Sequence, residues 1–156
     1  MKISLCFLLL FCSSLAFANV PVIKEVRMML HNATSSEVAC TKMISLLEPF
    51  NETNNPLLFG YRGGATMLMA KHAFNPFSKL SYFKKGKLML ESAIKADQTN
   101  VELRFLRYTI QTNVPGFLNY SSDKNLDRTF ITQSLARLKD QELKKIISEF
   151  LLKHSK

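Results

Sequence analysis

The chain has 156 residues, a formal net charge of +9, three cysteines and no tryptophan. That length is enough for one domain with a core of its own, and three cysteines are too few for a small scaffold stapled by disulfides. No catalytic or nucleotide motif stands out, so the excess positive charge is the first functional signal. It favours an anionic partner: lipid headgroups, a polyanionic glycan or an acidic protein.

The amino terminus reads as an export signal. Lys2 precedes an apolar run of ten residues, Ile3–Cys12 (ISLCFLLLFC), and Ala16-Phe17-Ala18 fits the small-x-small cleavage pattern. A membrane span needs about 20 apolar residues, so this run is too short to remain as an anchor. Residues 1–18 are expected to be a cleaved signal peptide and 19–156 a single all-helical domain, periplasmic or secreted, with no integral membrane segment. Phe11 before Cys12 and Leu5 before Cys6 argue against a lipoprotein signal, which wants a small residue there. Cleavage removes Lys2, Cys6 and Cys12, which lowers the net charge to +8 and leaves Cys40 alone. Cys40 is expected to be a small buried apolar residue. Export disfavours a nucleic-acid partner, and no nucleic-acid motif appears.

Apolar spacing is helical nearly throughout, which predicts an all-α fold: an irregular helical bundle, or a short helical-repeat-like array, of about seven helices. The first helix is expected from about Val22 to Leu30, with Val22, Val26, Met29 and Leu30 as its stripe. Thr34-Ser35-Ser36 signals the start of the second, whose face would carry Val38, Met43, Leu46 and Leu47. The third spans roughly Leu57–Phe74, and at 100° per residue Leu58, Tyr61, Ala65, Leu68, Met69 and His72 share one side. Gly60, Gly63 and Gly64 lie elsewhere on that cylinder. Each glycine costs a helix about 1 kcal/mol against alanine, so either a neighbouring helix comes close there or the helix breaks. YRGGA has neither the lysine nor the serine/threonine of a phosphate-cradling loop.

Asn75-Pro76 opens a fourth helix, Phe77–Ala96, with Leu80, Phe83, Gly86, Leu90, Ala93 and Ile94 inward and Lys84, Lys85 and Lys95 outward. The fifth, about Val101–Thr112, has two apolar strips on nearly opposite sides: Leu103, Leu106 and Ile110, against Val101, Phe105 and Tyr108. A helix apolar on two sides is sandwiched between neighbours, which places it centrally. Ser121-Ser122-Asp123 is expected to cap a sixth helix with Leu126, Phe130, Ser134 and Leu138 inside. Asp140 opens a seventh, on which Leu143, Ile146, Ile147, Phe150 and Leu151 follow the helical period; the last four residues should fray.

Arg104, Arg107 and Gln111 fill the wedge between the two strips of the fifth helix, with Tyr108 alongside. Two guanidiniums one turn apart suit a carboxylate, phosphate or sulfate, and the competing reading pairs them with carboxylates of neighbouring helices. Tyr61 and His72, on one side of the third helix, complete a set of candidate ligand-binding residues. A lone histidine on an apolar face is more often a satisfied core residue than a base. No two histidines have metal-binding spacing within a helix, so neither a metal nor a cofactor is expected. No pair of carboxylates suggests hydrolysis.

The segment GKLMLESAIKADQTN, residues 86–100, resembles the second helix and turn of a tetratricopeptide repeat, with small Gly86, large Leu90 and small Ala93 in sequence and an Asp-x-x-Asn turn. No second copy follows about 34 residues away. GYRGGATMLMAKHAFNPFSKL and LRFLRYTIQTNVPGFLNY resemble small exported helical proteins of Bacteroidetes-type bacteria, which implies an exported helical domain and nothing about chemistry. The expected function is a non-enzymatic exported binding or scaffold protein that takes a peptide or protein through a groove near helices three to five. Two alternatives stand beside it: an enzyme or small-ligand binder that clamps an anion with Arg104 and Arg107, and peripheral association with anionic membranes.

Overall fold

The computed structural model describes residues 22–154, so the expected leader lies outside the described residues. Seven helices run in order: α1 Ile23–Ala33, α2 Glu37–Leu46, α3 Pro56–His72, α4 Pro76–Ala96, α5 Val101–Asn113, α6 Lys124–Ser134 and α7 Gln141–Lys153. Single turns of 3-10 helix occupy Gly116–Leu118 and Leu135–Arg137, and the described residues contain no strand. The protein is all-α.

Local chemistry sets most of the helix starts. Side-chain oxygens of Ser36, Asn55, Asn75, Asn100 and Asp140 each accept a first-turn backbone N–H, which satisfies donors that have no partner inside the helix. Pro56 and Pro76 stand at first-turn positions where a missing N–H costs nothing. Asp123 departs from the expected cap: its side chain accepts no N–H of α6. It takes the Ser122 hydroxyl and faces Arg107 at 3.7 Å instead.

Gly63 and Gly86 are explained by a close crossing of α3 and α4. A Cβ on Gly63 would lie 2.8 Å from the Gly86 carbonyl oxygen and 2.9 Å from the Leu90 nitrogen. A Cβ on Gly86 would lie 2.6 Å from the Met67 nitrogen. These obstacles are backbone, which cannot rotate away. Gly64 has ordinary van der Waals room, so Gly63 and Gly86 are the pair that the crossing demands.

Two apolar cores result. The larger gathers Val26 of α1, Met43 and Leu47 of α2, Leu58, Ala65 and Met69 of α3, Phe83 and Leu90 of α4, and Leu103 and Leu106 of α5. The smaller joins Phe105 and Tyr108 of α5 to Ile131 of α6 and Leu143 and Ile147 of α7, with Phe150 edge-on to Phe105 and Tyr108 at ring distances of 5.5 and 5.7 Å. The two strips of α5 therefore face the two cores, and α5 lies between them.

Several expected faces are rotated. On α2, Val38 and Leu46 are exposed, and Cys40 takes the inner position beside Met43 and Leu47. Leu126 of α6 is exposed, whereas Asp127 and Ile131 are buried, because two arginines of α5 draw the carboxylate inward. Leu80 and Ile146 lie at the surface. His154 does not fray: its ring rests on Phe150, with centroids 4.4 Å apart. Of the connector FLNY, Leu118 packs on the larger core and Tyr120 is buried, while Phe117 faces out.

Alanine at Gly63 or Gly86 gains about 1 kcal/mol of helix propensity but must push two helices apart. The expected result in urea denaturation is a net loss of about 2 kcal/mol or more for each. Gly116→Ala, with nothing within 4 Å of the new methyl, should stay within about 0.5 kcal/mol.

Candidate functional site

The arginine wedge of α5 is closed by the protein's own carboxylates. Arg107 Nε donates to Asp127 Oδ2 at 2.6 Å and Nη2 donates to Asp127 Oδ1 at 2.8 Å, a bidentate pair. Its Nη1 reaches Glu91 of α4 at 2.7 Å. Arg104 Nη1 donates to Asp127 Oδ1 at 3.0 Å while its guanidinium lies over the Phe130 ring. Tyr120 donates its hydroxyl proton to the other oxygen of Glu91. Burial opposes the charge on Arg107, but the hydrogen bond and charge of Asp127, with Glu91 and Asp123 behind them, hold its pKa above the ordinary arginine value. Burial, reinforced by Glu91, pushes the Tyr120 phenol well up.

A second network lies on the other side of α5, around Glu102 in its first turn. Arg27 of α1 donates to both oxygens of Glu102, at 2.7 and 2.8 Å, and to Asp140 Oδ2 at 2.7 Å. The Tyr61 hydroxyl donates to Glu102 Oε1 at 2.5 Å. Asp140 serves twice, since Oδ1 accepts the Leu143 N–H at 3.0 Å and starts α7. The Arg27 hydrogen bond, then that of Leu143, holds the Asp140 carboxyl below its ordinary pKa. Burial first, then Glu102, holds the Tyr61 phenol well above its own.

The remaining candidates are dispersed. His72 Nε2 is 3.0 Å from the Ala33 carbonyl and bridges α3 to α1. Gln111 is buried, and neither its amide nitrogen nor its oxygen has a partner among the described residues. Cys40 Sγ is 2.9 Å from the Ala65 carbonyl, and burial pushes its thiol up to about 11. Arg62, next to Tyr61, donates to the Leu47 and Glu48 carbonyls and so secures the end of α2. Tyr61, His72, Arg104 and Arg107 thus do not gather round one groove. The contacts of Arg104 and Arg107 are those of the competing reading, with carboxylates of neighbouring helices: Asp127 takes donors from both and Glu91 takes one from Arg107. The reason is physical: two apolar strips draw neighbours over α5 from both sides, and cations covered in this way require carboxylates.

Two of the depressions in the surface measure about 390 and 400 Å³. The first lies where α5 ends, α6 begins and α7 ends, and Tyr108 of the predicted set reaches its wall. The second is bordered by Glu37, Val38, Thr41 and Lys42 of α2. Among the described residues, no three His, Cys, Asp or Glu side chains are placed to hold a metal ion. No described helix is long and apolar enough to cross a membrane.

Several exposed apolar side chains lie along the outer face of α4. Phe74, in the turn before it, is fully exposed, Phe77 is 84% exposed and Leu88 is 71% exposed, with Leu80 between them. Their spacing of three, eight and eleven residues puts Phe77, Leu80 and Leu88 on one stripe, opposite buried Phe83, Gly86 and Leu90. Lys84 lies on the stripe and Lys85 beside it, both exposed. No acidic residue occurs between Glu52 and Glu91, while Arg62, Lys71, Lys79, Lys84, Lys85 and Lys87 do. No known family, curated protein or solved structure matches the chain.

Arg27, Glu91, Glu102 and Asp127 carry no motif that singles them out. One signal was available for Asp127: it stands four residues before Ile131, at an apolar position of the helical period, where a carboxylate needs a cation. Asp127→Asn would leave Arg107 and Arg104 short of their shared counter-charge. It should cost about 3 kcal/mol in thermal or urea unfolding, and Arg104→Gln, at the edge of the network, about 1 kcal/mol.

Proposed function

We propose that the protein is an exported, non-enzymatic binding protein that associates peripherally with anionic lipid surfaces through the outer face of α4. The observation that carries this reading is the exposed stripe Phe77–Leu80–Leu88, continuous with Phe74 and set among lysines in a segment free of acidic residues. An apolar patch rimmed by cations suits the interface of a bilayer. Aromatic and leucine side chains enter the headgroup–acyl boundary, and lysines extend along it with their ammonium groups in water. A lysine near an anionic surface contributes about 1 kcal/mol, and the apolar side chains add the part that salt does not screen.

This reading is preferred to a peptide groove at α3–α5, because close packing of these helices fills the space between them. It is also preferred to an arginine-clamp enzyme, because the guanidiniums of Arg104 and Arg107 face Asp127 and Glu91.

Vesicle co-sedimentation tests it. Vesicles with 30% phosphatidylglycerol should retain the protein at ~0.1 M salt, lose part of it at ~0.5 M, and hold it more strongly than phosphatidylcholine vesicles. Lys84→Gln with Lys85→Gln should weaken binding about 30-fold, from about 2 kcal/mol of lost attraction. Phe74→Ser with Phe77→Ser should remove the salt-resistant fraction. Equal retention by neutral vesicles, or none by anionic ones, would refute the assignment.

A further inference from the structure

The depression between α5, α6 and α7 stands apart from the α4 face, and its lining is that of an oxyanion site. Lys124 and Arg128 of α6, Lys153 of α7 and His154 beyond it surround the opening, with Tyr108 and Thr112 of α5 on the inner wall. Among the described residues, none of the three permanent cations is ion-paired. The nearby carboxylates are spoken for: Asp127 holds Arg104 and Arg107, and Asp123 faces Arg107.

Three further features lie beside the same space. Tyr108 is only 1% exposed, lines the depression and has no hydrogen-bond partner among the described residues. Thr112 Oγ1 is buried and likewise unpartnered. The first turn of α6 has no side-chain cap, because Asp123 is turned toward Arg107. Buried donors are normally satisfied, and uncapped helix starts attract anions. A volume of about 390 Å³ admits a tetrahedral oxyanion together with the group that bears it.

We propose that this notch binds a phosphomonoester group, with Lys124, Arg128 and Lys153 as counter-charges and the Tyr108 hydroxyl as a neutral donor. Three cations with no acid among the described lining residues favour a dianion over a carboxylate. The phosphate would come either from a soluble ligand or from a lipid headgroup. The proposal is independent of the α4 stripe, since the two use different residues.

The test is thermal unfolding with inorganic phosphate, against chloride at matched ionic strength. At ten times its dissociation constant, phosphate should raise the midpoint by about 4 °C. Arg128→Gln and Lys153→Gln, both at exposed positions, should fold normally and abolish the shift, and Tyr108→Phe should reduce it. Vesicles of phosphatidic acid and of phosphatidylglycerol at equal surface charge separate the sources. Preference for phosphatidic acid that is lost in Arg128→Gln identifies a lipid headgroup, and stabilisation by phosphate without that preference identifies a soluble ligand. No phosphate-specific shift in the wild type, or a full shift retained in the Arg128→Gln, Lys153→Gln double variant, would overturn the proposal.

Discussion

Asp127 has no contact with solvent, yet both of its oxygens face guanidiniums: Arg107 in a bidentate pair, and Arg104 on the shared Oδ1. Desolvating a carboxylate costs several kcal/mol unless its partners are well placed, so this pairing fixes how α6 lies on α5. Much of the second half of the molecule follows from it. With Asp127 inward, Ile131 reaches the smaller core and Leu126 is left outside. With Asp123 drawn toward Arg107, the first turn of α6 lies open beside Lys124 and Arg128. On the other side of α5, Glu102 performs the matching task, binding Arg27 of α1, which in turn binds Asp140 at the start of α7. Thirteen residues of α5 thus connect to α1, α3, α4, α6 and α7 through two apolar strips and three charged side chains.

The two strips of α5 were legible because both obey the 3.6-residue period, and a helix greasy on opposite sides has one stable location. The glycines were legible as a choice between a close crossing and a break, but not as a contact, since Gly86 lies 23 residues from Gly63 and only the fold brings them together. Hydrophobicity alone misplaced α6. It put Leu126 inside, whereas electrostatics turned Asp127 there. On α2, Cys40, Met43 and Leu47 were legible as buried, whereas Val38 and Leu46, assigned to the same face, lie outside. The candidate site divided along the same line. Arg104 and Arg107 were correctly placed together on α5, but spacing within one helix cannot reveal which carboxylates other helices will bring.

Charge in this protein therefore has two distinct roles. Arg27, Arg104 and Arg107 face inward, each against at least one carboxylate, and hold helices together. The exposed lysines of α4 and the cations of the α5–α6–α7 notch have no such partners and remain available to whatever anion approaches. The net positive charge belongs largely to the second group, because the first is nearly neutralised where it stands. That division is why composition pointed to an anionic partner while the most suggestive arginines turned out to be structural.

The dependence of both cores on α5 can be measured directly by residue-resolved native-state hydrogen exchange. If α5 is the element that neither core can lose, its amides from Phe105 to Tyr108 should be the slowest to exchange, opening only with global unfolding. Exchange of α5 ahead of the α3–α4 pair, with that pair still protected, would show that the larger core stands without it and would contradict the account.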